Sequence, residues 1–316
     1  MRTRPLGRSG IEVGPLALGG NVFGWTADEA ASFRVLDAFV ASGLTLIDTA
    51  DVYSVWVPGH AGGESEAVIG NWLRRSGVRG RVAVATKVGM ELAPGETGLS
   101  RGHILKSAER SLNRLGVDTI DVYQAHKDDP NTPLEETLGA FGELVAQGKV
   151  RAVGASNYSA ARLAEALAVS RRLNLPRYES LQPDYNLVDR AGYEAELGPL
   201  CRREGLGVIP YYSLAAGFLT GKYRTAADLS KSARGAKVGK SYLNERGLRV
   251  LAAVDAVAAD LKVSQARVAL AWLIARPGVT APIASATTPA QLDELVAATR
   301  LNLSADAVAR LDAASA

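Results

Sequence analysis

Eight short apolar runs, each giving way to polar residues and separated by stretches with helix-capping signals, constrain this chain more than any other feature. The runs are Leu16–Leu18, Leu44–Ile47, Val82–Ala85, Ile120–Ala125, Ala152–Ala155, Ser180–Leu181, Val208–Ile209 and Pro282–Ala284. Several do not alternate apolar with polar, as expected of strands buried on both faces of a parallel sheet. Between them, Thr26 and Glu29 read as a capping box with Gly43 beyond the last turn. Thr132, Pro133 and Glu135 read as an N-cap, a first-turn proline and the box glutamate, with Gly148 closing that helix. Ser100 opens and Gly116 closes another, and Ala160–Leu173, Tyr193–Arg203, Ser264–Ala275 and Pro289–Thr299 continue the pattern. Strand and helix in repeated alternation predict an α/β fold, a closed (β/α)8 barrel formed by residues 1–316 as one domain. The 316 residues suffice, since such a barrel uses about 250.

Two segments fall outside the alternation. RTRPLGRSGIEVG reads as a β-hairpin turning on Arg8–Gly10 and closing the barrel floor. Gly221–Arg246, after the seventh strand, is polar and basic, and far longer than the usual βα connection of about 2–6 residues. At the C-terminal face of a barrel, a loop of that length is expected to cover a ligand.

Composition excludes several function classes. The net charge is +3 with scattered basic residues, which gives no reason to expect nucleic acid as a partner. No apolar run approaches the roughly 20 residues of a membrane span. The N-terminus has charge but no apolar core of a secretory signal. Cys201 is alone, so no intrachain disulfide forms, and a reducing, cytoplasmic setting is expected. His60, His103 and His126 lack the spacing of a zinc site, so no metal is expected. Trp72 and Trp272 read as helix residues packed on the barrel.

The chemistry sits where the apolar runs stop. Asp48 and Tyr53 follow the second strand in IDTADVY, Lys87 ends VAVATK, and His126 ends IDVYQAH. In a barrel these strand ends face one mouth. A phenol has a reference pKa of about 10 and is a weak acid at neutral pH. An ammonium beside it stabilises the phenolate, and a carboxylate holds the ammonium in place. Such a tyrosine can protonate a carbonyl oxygen while hydride reaches the carbon. Phe23, Trp25 and Trp56, in loops after strand ends, are candidates for an apolar substrate wall. The loop SVWVPGHAGGESE that carries Trp56 is placed to shape the substrate mouth.

The ordered motifs RPLGRSGIEVGPLALGG, LIDTADVY, GGESEAVIG, VATKVG, SLNRLGVDTIDVYQAH, GKVRAVGASNYS, LQPDYNLVDR, YYSLAAGFLTGKY and VALAWLIARPGVTAPIASATTPAQLDEL resemble the aldo-keto reductases over essentially the whole chain. The likeness is nearest to a bacterial branch that also holds general-stress and potassium-channel β-subunit-like reductases. The resemblance implies a catalytic tetrad of Asp48, Tyr53, Lys87 and His126 and a nicotinamide cofactor held without a Rossmann domain. It implies that Asn157 and Gln182 bind the carboxamide beside Ser156, and that Tyr211 stacks on the ring. Tyr212, Ser213, Leu214, Ala215, Gly217 and Lys222 would follow the pyrophosphate, with Arg234 folded over it. Ser285, Thr287, Gln291 and Glu294 would meet the adenosine end. Gly20, Asn21 and Asp48 complete the expected cofactor contacts.

At the adenosine end the chain departs from many relatives. Ser285–Ala286–Thr287 stands where an arginine or lysine often meets a 2′-phosphate, and Leu295 stands where asparagine is frequent. NADPH is expected ahead of NADH, with a small-molecule carbonyl as substrate. The sequence leaves the identity of that carbonyl and the oligomeric state open. A second reading, opened by the same branch, is a cofactor-sensing regulatory subunit with little turnover. Tyr123 and Lys127 match the Tyr-x-x-x-Lys spacing of short-chain dehydrogenases, but Tyr123 lies in a strand-like run and no glycine-rich turn opens the chain.

Overall fold

The computed structural model describes residues 2–316. Its eight parallel strands are β3 (Ala17–Gly19), β4 (Leu46–Asp48), β5 (Ala83–Val88), β6 (Ile120–Ala125), β7 (Val150–Ser156), β8 (Tyr178–Gln182), β9 (Gly207–Val208) and β10 (Ile283–Ala284), paired in that order with β10 also beside β3. The remaining seam is closed by Val208 bridging Val279, with Thr280 N–H donating to the Val208 carbonyl at 2.7 Å. Ile283 N–H reaches the Pro210 carbonyl at 2.8 Å. The architecture is the expected (β/α)8 barrel.

An antiparallel hairpin, β1 (Arg4–Pro5) and β2 (Glu12–Val13), precedes it. Leu6, Ile11 and Val13 join Leu46, Ala83, Ala85, Val122, Ala152, Ile209 and Ile283 in the cluster that fills the lower barrel. The hairpin is the floor, as its sequence suggests. Arg4 fixes it by donating to the carbonyls of Val279 and Ile274, at 3.0 and 3.1 Å.

The helices bury one face each against the outside of the barrel. They are α1 (Glu29–Ala41), α2 (Glu64–Ser76), α3 (Arg101–Leu115), α4 (Leu134–Ala146), α5 (Ala160–Leu173), α6 (Ala191–Glu194), α7 (Leu197–Glu204), α8 (Gly235–Ser241), α9 (Glu245–Leu261), α10 (Gln265–Ile274), α11 (Pro289–Ala298) and α12 (Ala305–Ser315). Trp72 and Trp272 are fully buried, each donating its indole N–H to a carboxylate, Asp37 and Asp312. No helix among the described residues is long and apolar enough to cross a membrane.

Four local expectations are corrected. Asp28, not Thr26, caps α1, because its carboxylate accepts the Ala31 N–H at 2.7 Å. Thr132 does not cap α4: its hydroxyl donates to Asp129, and Pro133 sits at the cap. The stretch 191–204 is two helices, broken at Glu196, where φ is −130°. The basic segment after the seventh barrel strand contains a 3-10 turn over Ala226–Lys231, with a Thr225–Asp228 capping box, and then α8.

Candidate active site

Strand alternation brings the reacting groups inward. On β5 the inner face runs Ala83, Ala85, Lys87, and on β4 Leu46 is followed two residues later by Asp48. Apolar residues fill the lower layers, so the amine and carboxylate meet in the layer above. Lys87 is 0% exposed, yet all three ammonium hydrogens have acceptors. Nζ lies 2.8 Å from Asp48 Oδ2, 2.7 Å from the Thr49 carbonyl and 2.9 Å from the Tyr53 hydroxyl. A buried ion pair is tolerated on such terms, with geometry good enough to offset desolvation. Tyr53 is half-buried, and its hydroxyl is also 3.4 Å from Asp48 Oδ2.

His126 follows β6, held by its own N–H on the Val88 carbonyl and by Asn157 Nδ2 on its carbonyl, at 2.8 and 2.9 Å. Its ring stands edge-on to Tyr53, with centroids 6.1 Å apart, and its buried Nδ1 has no partner. Burial, reinforced by Lys87, holds the imidazole pKa well below its usual value, so the ring is neutral at neutral pH. Burial raises the Tyr53 phenol, and the Asp48 charge raises it further. Burial lowers the Lys87 amine while Asp48 opposes the fall. The resting site is therefore a protonated phenol against an ammonium–carboxylate pair. The expected acidification by Lys87 does not set the resting state.

Beside this centre lies a group of amides and hydroxyls. Gln182 Nε2 donates to Asp48 Oδ1 at 2.8 Å. Ser156 Oγ donates to the Gln182 carbonyl at 2.9 Å, and Tyr211 donates to Asn157 Oδ1 at 2.8 Å. Asn157 itself holds a left-handed backbone, with φ 56°. The four expected nicotinamide contacts thus form a chain, Tyr211 to Asn157 to Ser156 to Gln182, of which Gln182 alone reaches the Asp48 carboxylate. Beyond Tyr211, left-handed residues Tyr212, Ala215, Ala216 and Gly217 curl the Tyr212–Gly217 segment around Ser213 and Leu214. Clustered left-handed turns are a geometry that presents N–H groups to anions. Arg234, from the covering segment, is half-buried, and one buried guanidinium nitrogen has no partner. A cation with an unpartnered nitrogen beside such turns fits a pyrophosphate. Lys222 is exposed and lies over the Tyr223 ring.

At the expected adenosine end, Ser285, Thr287 and Gln291 are neutral. Ser285 Oγ donates to Asn21 Oδ1 at 2.8 Å, and Gln291 Oε1 accepts from the Thr287 N–H at 2.9 Å. Glu294, partly exposed, accepts from Ser264 and Arg267, an ionic contact that ties α11 to α10. Gly20 donates its N–H to the Asp48 carbonyl at 2.7 Å, and a side chain there would meet that carbonyl at 3.0 Å and Ser65 Oγ at 2.9 Å. Its role is close packing on the tetrad strand.

Of the expected aromatic wall, Phe23 drops out: it is fully buried in the core between barrel and helices. Trp25 and Trp56 remain, edge to face with centroids 5.4 Å apart, and Trp56 is 6.3 Å from Tyr53. Trp56 is 47% exposed, the most open large apolar residue among those described. Tyr123 faces the helix layer, fully buried, while Lys127 is exposed, so the Tyr-x-x-x-Lys match has no site.

Sequence reading missed the charges behind the tetrad. Asp51, Glu66 and the half-buried Arg114 lie between barrel and helices. Glu66 shares a helix face with Ile69 and Leu73, three and seven residues on, and that spacing was the available signal.

The family model described as the aldo/keto reductase family matches residues 15–316. The chain is 35% identical over 306 residues to the uncharacterized oxidoreductase YrpG of Bacillus subtilis (strain 168), a match covering 94% of this chain and 91% of that protein. It is 33% identical over 301 residues to a "probable voltage-gated potassium channel subunit beta" of Arabidopsis thaliana, covering 93% and 90%. A protein of the same name from Oryza sativa subsp. japonica is 35% identical over 303 residues, covering 93% and 90%.

Proposed function

Since the chain belongs to the aldo/keto reductase family and is an oxidoreductase, we propose that it reduces an aldehyde or ketone to the alcohol, using NADPH and a proton from Tyr53. The carrying observation is the Lys87 ammonium, bonded at once to Asp48, Thr49 and the Tyr53 hydroxyl. When bound, the reduced nicotinamide supplies hydride to the carbonyl carbon. Tyr53 donates its proton to the carbonyl oxygen, and Lys87, 2.9 Å away, stabilises the phenolate that forms. Asp48 anchors Lys87. Neutral His126 orients the carbonyl oxygen by a hydrogen bond and does not supply the proton. Ser156, Asn157, Gln182 and Tyr211 hold the carboxamide and ring, and Arg234 the pyrophosphate. Trp25 and Trp56 wall the substrate mouth. The proposed setting is the cytoplasm, where the buried Cys201 stays reduced.

The test is loss of NADPH absorbance with a panel of carbonyls, wild type against Tyr53→Phe. Removing a general acid typically costs about 10²–10⁴-fold in rate. Near-native kcat in Tyr53→Phe would show the acid to be elsewhere.

The two plant relatives named as channel subunits support a second reading, a cofactor-sensing regulatory subunit. Tight cofactor binding, slow turnover on every carbonyl and a co-purifying partner would favour it. The complete hydrogen bonding of Lys87 favours turnover.

A further inference from the structure

We propose that Asp51 is a positioning residue for Lys87: a buried carboxyl, protonated in the working protein, whose ionisation holds the ammonium more tightly and weakens Tyr53 as an acid. The proposal rests on the reading of Tyr53 as acid and Lys87 as its partner.

The segment from Thr49 to Tyr53 wraps Lys87. The Thr49 carbonyl accepts from Nζ at 2.7 Å, the Asp51 N–H donates to the Lys87 carbonyl at 3.4 Å, and the Tyr53 hydroxyl lies 2.9 Å from Nζ. Asp51 is 0% exposed, and neither carboxyl oxygen has a well-formed hydrogen bond, the Val52 N–H being the one backbone donor that favours its charge. Glu66 from α2, Arg114 from α3, Lys87 from β5 and Tyr123 from β6 are the titratable groups that act on it or feel its charge. The Tyr123 hydroxyl is without a partner. The loop closes over this region tightly: a side chain at Gly62 would meet the Asp51 carbonyl at 2.9 Å and Leu92 at 2.6 Å.

The charges balance without Asp51. Glu66 accepts from Thr86 Oγ1 at 2.5 Å and pairs with Arg114 at 2.6 Å. Asp48 pairs with Lys87 at 2.8 Å. An ionised Asp51 would be an odd charge in a closed layer, and a carboxyl so placed takes up a proton instead. Burial, with the Glu66 charge adding to it, pushes this carboxyl up to about 8. Above that pH the amine faces two carboxylates. The ammonium is then held more firmly and, shared with a second carboxylate, stabilises a Tyr53 phenolate less.

Two measurements on the full chain test this. Infrared difference spectra, wild type minus Asp51→Asn, are recorded well below and well above pH 8. A protonated-acid carbonyl band is expected in wild type at the lower pH, lost at the higher and absent from the variant. Absence of that band from wild type overturns the proposal. In kinetics, log kcat for carbonyl reduction should fall through a step near pH 8 in wild type, and that step should vanish in Asp51→Asn. The expected drop is roughly fivefold, equivalent to about 1 kcal/mol from one partly screened charge. Superimposable profiles overturn the proposal. So does loss of the step in Ser54→Ala, an equally buried neighbour, since that would make it an effect of packing. The infrared arm needs no turnover. If Tyr53→Phe stays active, the acid assignment fails while the state of Asp51 is still read.

Discussion

Gln182 and Asp48, 134 residues apart in sequence, share a hydrogen bond of 2.8 Å inside the barrel. The amide that the family resemblance assigns to the cofactor is therefore also a support of the carboxylate that holds Lys87. On the proposed roles, nicotinamide binding and acid chemistry meet at this bond. Gln182→Met should raise the cofactor dissociation constant and lower kcat together. A hydrogen bond to a charged group contributes about 1.5–3 kcal/mol, so losses of roughly tenfold or more are expected in each. Isothermal titration beside steady-state kinetics checks this. A change in affinity with kcat untouched would show the two sites to be independent.

Lys87→Met leaves Asp48 buried without its cation. Breaking a buried pair by removing one partner costs about 3–5 kcal/mol, so the variant should unfold at markedly lower urea concentration. Activity should fall nearly as far as in Tyr53→Phe, because no ammonium remains to stabilise the phenolate. Lys87→Met with Asp48→Leu should recover stability but not activity. Recovery of both would remove the amine from the proposed chemistry.

The pH dependence of stability has a definite sign at Asp51. Its folded-state pKa is raised from 3.8 to about 8. The native state therefore keeps a proton that the unfolded chain releases, and stability falls with pH between those values. This contribution is present in full below about 3.8 and lost as pH rises through about 8. Asp51→Asn should be more stable than wild type near pH 8, with the gap closing in acid. Urea unfolding across that range tests it, and a gap independent of pH would mean that folding leaves the Asp51 pKa unshifted.

NADPH should bind more tightly than NADH, by a modest margin. Ser285, Thr287 and Gln291 offer neutral groups at the adenosine end, weaker than a charge-assisted pair. Lys222 and Arg234 supply cations from the covering segment. A preference of roughly tenfold is expected, about 1.4 kcal/mol. Tryptophan fluorescence quenching gives both dissociation constants. Equal values, or tighter NADH, would overturn the preference and leave the carbonyl reductase reading in place.

The barrel was legible because its strands end abruptly on chemistry and its helices announce their caps. The motif IDTADVY placed Asp48 and Tyr53, and alternation along β5 placed Lys87. Tertiary competition was not legible. Thr132 has the chemistry of a cap, but Asp129 takes its hydroxyl at 2.7 Å. Phe23 has the position of a substrate contact, but its ring is wholly buried in the core. Glu294 has the motif of an adenosine contact, and its pairing with Arg267 of the preceding helix had no local signal. At Thr132 the competitor is three residues back, and at Phe23 and Glu294 it is packing or charge brought from elsewhere in the chain. The same holds for Asp51, whose burial depends on α2 and α3 packing over a loop.

The floor and the seam have a bearing on how the chain is made. Arg4 bonds to carbonyls 270 and 275 residues away, and β3 gains its second neighbour only from Ile283 and Ala284. While a ribosome is still extending the chain, neither contact exists. Residues 15–280 must wait with two open strand edges, β3 and β9, which are templates for wrong pairing. Closure is thus a late event of synthesis, and the last of the eight strands is the one on which escape from aggregation depends.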